Sequence, residues 1–258
     1  MWYICCMVPQ EENIMVADNA NKVLLSGTIV TAPVYSHSVY GEGFYETMLS
    51  VPRLSEHSDI LPITISERLI ADRDIKPGSR ISVEGQFRSY NKVTDGRSRL
   101  MLTVFVRGLC DVPPATPNQI ELEGYICKPP IYRTTPFKRE ICDILLAVNR
   151  AYNKSDYIPC IAWGRNARYV KSIAVGQKIY ITGRIQSREY QKKISEAEAE
   201  TKTAYEISIN KISRDTPDEQ DRRPQASPAA SGFFTPEDVY GSGGAGGEDE
   251  QQPQHNKL

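Results

Sequence analysis

The 258 residues hold 31 Lys plus Arg against 32 Asp plus Glu, a formal net charge of −1, with 40% hydrophobic and 24% charged residues. That length holds one large domain or two of about 100 to 150 residues. The charge argues against a chain that is basic throughout, and no apolar run approaches the roughly 18 to 20 residues that cross a bilayer. The cysteines Cys5, Cys6, Cys110, Cys127, Cys142 and Cys160 form no C-x-x-C pair, so with only three histidines no metal or other cofactor is expected. Single cysteines among apolar neighbours indicate a reducing compartment, and a cytoplasmic protein is expected.

In chain order, residues 1–19 open on an apolar stretch with no Lys or Arg before Lys22, so they lack the basic region of a signal peptide. They are read as a disordered leader, with Met15 as the working initiator. An internal repeat follows. Asn21 to Gly27 is echoed by Asn118 to Gly124, and the same offset pairs Pro33 with Pro130, Tyr35 with Tyr132, Glu46 with Asp143, Arg53 with Arg150 and Asp59 with Asp156. After a one-residue slip, Gly78, Ile81, Val83 and Gly85 match Gly176, Ile179, Ile181 and Gly183. Two copies of one domain are expected, at 20–111 and 118–214, joined by a proline-rich linker at 112–117.

Within the second copy, Gln177 to Tyr190 alternates: Ile179, Ile181, Gly183 and Ile185 on one parity, Tyr180, Arg184, Arg188 and Tyr190 on the other. Tyr157 to Gly164 alternates too, with Ile158, Cys160 and Ala162 opposed to Tyr157, Ile161 and Trp163. Ile141 to Val148 is apolar on both parities. Arg165 to Ser172 fits a short helix, and Gln191 to Lys202 reads as a long hairpin loop before a last strand from Ala204 to Ile212. Five strands with a helix between the third and fourth is the order of an OB-fold, a five-stranded Greek-key barrel. The chain is therefore expected to be all-β, two tandem OB-folds followed by a tail. Residues 215–258, rich in Pro, Gly, Gln and acid, are expected to be disordered.

Charge is segregated along the chain. Residues 112–214 hold 17 basic and 10 acidic residues (+7), residues 20–111 hold 11 and 10 (+1), and residues 215–258 hold 3 and 9 (−6). The second copy thus combines cations with rings: Arg150, Lys154, Arg165, Arg168, Arg184, Arg188 and Lys192 with Tyr152, Tyr157, Trp163 and Tyr190. Unpaired bases stack on aromatic faces for about 1 to 3 kcal/mol each while cations track the phosphates, so this combination points to single-stranded nucleic acid. A Trp or Tyr in a β-protein is more often core or plain surface. Here the rings share strand parities with cations.

Leu146 to Arg150, Asp156 to Trp163 and Gly183 to Tyr190 together resemble three strands of the bacterial single-stranded DNA-binding proteins, over roughly Asn118 to Ile212. The resemblance implies stacking at Tyr152, Tyr157, Trp163 and Tyr190, protection of single-stranded DNA in replication, recombination and repair, association with the nucleoid, and a homodimer presenting four OB-folds. In the first copy the first three rings correspond to Ser55, Ile60 and Ser66, with Tyr90 left opposite Tyr190, so a degenerate binding face is expected there. Tails in that family finish in an acidic tip with a terminal aromatic, whereas this chain ends Gln254 to Leu258; a substitute partner motif is expected at Phe233, Phe234, Glu237 and Asp238. No phosphate loop, metal-spaced cluster or nucleophile elbow supports an enzyme. The alternatives are an OB-fold adaptor that docks peptides at a replication or restart complex, or a single-stranded RNA binder.

Overall fold

The computed structural model describes residues 20–94, 96–151, 154–193 and 199–214. The first copy runs β1 (Asn21–Ile29), β2 (Val34–Val39), β3 (Glu42–Pro52), β4 (Ser58–Ser66), α1 (Glu67–Arg73), β5 (Arg80–Thr94) and β6 (Arg97–Leu109). The second repeats it as β7 (Asn118–Ile126), β8 (Ile131–Thr134), β9 (Glu140–Arg150), β10 (Lys154–Trp163), α2 (Gly164–Val170), β11 (Lys178–Lys193) and β12 (Ala199–Arg214). In each copy the first strand pairs on both sides, β1 with β3 and β5 and β7 with β9 and β11, while β4 runs parallel to β6 and β10 to β12. These pairings close two OB barrels. The inward parity of each strand fills its barrel: Val23, Leu25, Leu49, Ile63 and Phe87 in one, Ile120, Leu146, Ile158, Ile181 and Ile207 in the other, all buried. Each contributes about 1.5 to 3 kcal/mol of burial.

Two details differ from the sequence expectation. Each copy has an additional short strand, β2 or β8, hairpinned onto β3 or β9. The segment Gln191 to Lys202 is not a long loop: β11 reaches Lys193 and β12 starts at Ala199, with Gln191 opposite Thr201 and Lys192 opposite Glu200. Gln191 and Thr201 on one face and Glu200 on the other are exposed, so the apolar alternation that marks a half-buried strand is lost although the ladder continues.

The barrels are joined edge to edge. β1 pairs antiparallel with β7, Asn21 opposite Leu122, Val23 opposite Ile120 and Leu25 opposite Asn118, giving one continuous twelve-stranded sheet. Because the repeat maps Val23 onto Ile120, this register is symmetric about that pair, and the two copies meet as pseudo-twofold mates. Asn21 and Asn118 extend each first strand with a side chain. Asn21 Nδ2 donates to the Phe87 carbonyl at 2.7 Å while its Oδ1 accepts from Phe87 N–H at 2.9 Å, and Asn118 repeats both contacts on Ile185 at the same distances.

Reciprocal pins lock the join. Asp59 of β4, fully buried, accepts from Ser187 N–H of β11 at 2.8 Å, and Asp156 of β10 accepts from Ser89 N–H of β5 at 2.8 Å. The serine hydroxyls return the contact, Ser187 Oγ accepting from Ile60 N–H and Ser89 Oγ from Tyr157 N–H. Asp59 also takes Arg53 Nε at 2.8 Å and Arg184 Nη1 at 3.1 Å, so two guanidinia share one carboxylate across the joint. Gly85 and Gly183 sit at matching register shifts, where a Cβ would lie 2.2 Å from the Phe105 carbonyl oxygen and 2.3 Å from that of Ser208. Only glycine admits strands that close. Burial pushes the thiols of Cys127 and Cys142 up to about 11, which keeps them protonated and unreactive at neutral pH.

Removing the Asp59 carboxylate leaves Arg53 and Arg184 facing each other half-buried. Asp59→Ala is expected to cost about 3 kcal/mol in denaturant unfolding, and more than Asp156→Ala, whose partner Arg150 stands at 3.7 Å, with Arg88 adding to the positive field on that carboxylate.

Candidate nucleic-acid interface

The outward parities of β9, β10, β12 and β11 form one face of the second barrel. On β10 that parity carries Tyr157, Pro159, Ile161 and Trp163; across the sheet Ile141 lies opposite Trp163, Ala147 opposite Tyr157 and Ser208 beside Ile161. Trp163 is exposed at the corner where β10 turns into α2, a corner made by Gly164 at φ 52°. Tyr157, half-buried, is placed by its own N–H bond to Ser89 of the first barrel. Tyr190 lies farther along the face on β11, the Arg188 guanidinium 5.9 Å from its centroid. Tyr157 and Trp163 thus share one strand of one face, with Tyr190 two strands away.

The cations divide into those held by carboxylates and those turned to water. Arg184 is committed to the joint: it bonds Asp59, and burial with Arg53 alongside lowers its pKa. It is a structural cation more than a surface one. Arg188 stands 3.7 Å from Glu206 and Arg150 3.7 Å from Asp156. Lys154 and Arg165 are exposed, as is Arg168, 3.4 Å from Glu140 on the α2 side. Sequence reasoning missed Lys138 and Arg139, which with Glu140, Trp163 and Gly164 line a groove beside the indole. Their signal was the basic Lys138-Arg139 pair in the turn between two strands, unnoticed because it carries no ring. Tyr152, the side chain of Lys192 and the tail residues Phe233, Phe234, Glu237 and Asp238 lie outside the described residues. Among the described residues no group of three or more His, Cys, Asp or Glu could hold a metal ion, and no helix is long and apolar enough to cross a membrane.

Residues 117–215 match the model of the single-strand binding protein family. A relative named single-stranded DNA-binding protein 1, from Lactococcus lactis, is 31% identical over 135 residues, which span 45% of this chain and 90% of that protein. The chain belongs to the single-strand binding protein family. Single-stranded DNA-binding protein 1 of Staphylococcus aureus is 35% identical over 81 residues, 29% of this chain and 48% of that protein. Among solved structures, a deletion mutant of the single-stranded DNA binding protein from Thermus aquaticus covers 80% of this chain and 98% of its own, with a TM-score of 0.60 and 18% identity, a likeness of fold across both barrels.

The face of the first barrel in this family member is organised differently. With Gly85 on Gly183, Ser89 falls on Ser187, and Tyr90 falls on Arg188. The sequence pairing of Tyr90 with Tyr190 is therefore off by one pleat, because the one-residue slip ahead of Gly78 persists through β5. The groove matching the basic one of the second barrel is lined by Gly41, Glu42, Glu67 and Arg68, so two acids stand where Arg139 and Gly164 stand in the other copy.

The second barrel's face also carries two buried carboxylates, Asp143 opposite Ile161 and Glu206 opposite Gln186. Asp143 takes Arg133 Nε at 2.8 Å and Glu206 takes Gln186 Nε2 at 2.7 Å, yet Asp143 Oδ1 and Glu206 Oε2 are buried without a hydrogen bond. Burial is the main reason the Glu206 carboxyl rises above its ordinary 4.5; Arg188 and Gln186 oppose the rise and Asp143 adds to it. A carboxyl that holds its proton more tightly when folded favours the folded state most below its ordinary pKa, and that advantage is lost as pH rises from about 4.5 through the raised value. Glu206→Gln keeps the shape and removes the buried charge. Denaturation at pH 4.5 and pH 7 should show a smaller loss of stability with rising pH than in the parent, and equal or greater stability at pH 7.

Proposed function

We propose that this protein binds single-stranded DNA without sequence preference and protects it, with the outer face of the second barrel as the principal site. What carries this is the placement of Tyr157 and Trp163 on one strand of one face, Tyr190 beyond them, and a rim of exposed cations. Bases stack on the three rings, and Tyr152 joins them by its place in the family pattern. Phosphates run along Lys154, Arg165 and Arg168, with Lys138 and Arg139 added and Lys192 at the ribbon. Arg150 and Arg188 exchange their carboxylate partners for phosphate or orient the rings, and Arg184 is left to the joint. Stacking is blind to the sugar, so DNA over RNA is supported by the names of the relatives.

The role is one of binding, not catalysis. Two chains associating would present four barrels, the tail island at Phe233 to Asp238 would recruit genome-maintenance proteins, and the working location would be the nucleoid of the cytoplasm. Trp163 is the sharpest probe because its exposed ring contributes little to either core. Trp163→Ala should leave the circular dichroism spectrum intact and weaken binding of a dT oligomer by about 1 to 3 kcal/mol, measured by fluorescence anisotropy. Log affinity of the parent should fall linearly with log salt, with a slope of about −0.7 for each phosphate contacted. No binding of dT at low salt would refute the function outright.

A further inference from the structure

The first barrel has not lost its rings; it carries them on different strands of the same face. Ser66 replaces the indole of Trp163, but the residue paired with Ser66 is Phe44, where the second barrel has Ile141. Ile60 replaces Tyr157, but Tyr90 stands where the second barrel has Arg188. Phe105, on β6 opposite Gln86, occupies the place of Ser208, which lies opposite Arg184. The rings have moved from β4 to its neighbours β3 and β6 and to β5 beyond them.

Two of these rings touch, and the third continues the face along β5. Phe44, buried, packs 5.4 Å from Phe105, and the Arg88 guanidinium covers Phe105 at 3.8 Å from its centroid. Tyr90 is 40% exposed two residues beyond Arg88 on the same parity of β5. Lys92 continues that parity, paired with Arg99, and both are exposed. The acidic groove of Glu42 and Glu67 lies at the opposite end of the face, beside Ser66, and repels phosphate there. Glu46, the repeat mate of Asp143, accepts from Ser36 and Tyr90 hydroxyls at 2.8 and 3.4 Å.

We infer that the first barrel holds a second site for single-stranded nucleic acid, displaced toward β5 and β6. Bases stack on Phe105 with its Arg88 cover and on Tyr90, and phosphates follow Lys92 and Arg99. A guanidinium plane and a ring face are equivalent stacking surfaces for a base. This rests on the second barrel binding single strands as proposed above; the occupant is a further stretch of the same strand, since both faces belong to one continuous sheet.

The full-length chain should be titrated on poly(dT), for nucleotides occluded per chain, and on a dT oligomer short enough for one barrel, a site of about 4 to 16 nucleotides. Lys92→Glu with Arg99→Glu changes only exposed side chains. It should reduce the occluded length by about half and flatten the salt dependence on poly(dT), while binding of the short oligomer stays within twofold of the parent. Phe105→Ala with Tyr90→Ala should do the same provided circular dichroism shows a folded protein; if it does not fold, the charge pair decides. An occluded length unchanged in the charge-reversed chain, with Trp163→Ala still weakening the short oligomer, overturns the second site and leaves the first standing. Failure of the parent chain to bind either ligand overturns both.

Discussion

The antiparallel contact of β1 with β7 is the constraint on which everything else depends. Its register is symmetric about Val23 and Ile120, so one set of strand-edge hydrogen bonds satisfies both barrels and removes two exposed edges that would otherwise invite other chains. The buried carboxylates of Asp59 and Asp156 then fix the barrels by reaching across to serine N–H groups. Because Ser89 also holds the N–H of Tyr157, the pin in the first barrel positions a ring of the second. Stability and the proposed binding face are coupled through a few polar atoms.

The two copies differ more on their faces than at their joint, where the second guanidinium on Asp59 is the main departure. Asn21 and Asn118 make the same two bonds, Asp59 and Asp156 the same pin, and Gly85 and Gly183 the same close approach. Each depends on a short side chain reaching a fixed backbone group, or on the missing Cβ of glycine. The outward faces only need flat rings and cations somewhere on a pleated surface, so rings and charges can move between strands without cost to the barrel. The basic groove at Lys138 and Arg139 and the acidic one at Glu42 and Glu67 show how far that freedom extends.

Much of this was legible in the chain, and what was not has a common cause. The repeat, the strand parities of Tyr157, Trp163 and Tyr190, and the short helix follow from periodicity, which is local. The ribbon formed by Gln191 and Thr201 was not legible because a strand wet on both faces has no apolar alternation. Arg184 reads as one more surface cation, yet its partner Asp59 is 125 residues away. The apparent loss of rings in the first copy came from comparing positions one by one, whereas Phe44 and Ser66 are neighbours only once β3 and β4 pair.

By itself the sequence determined that this chain is two copies of one small barrel, that the second carries the basic charge, and that its rings alternate with a core. Hydrophobic period and residue type are properties of neighbouring residues and survive without coordinates. The tertiary structure alone decided which barrel edges meet, which arginines are spent on the joint and which face water, and where the rings of the first copy lie. Those are matters of strand pairing between distant residues, and a pairing that brings a cation to a buried carboxylate, or a ring beside a ring, leaves no mark on the local pattern of either strand.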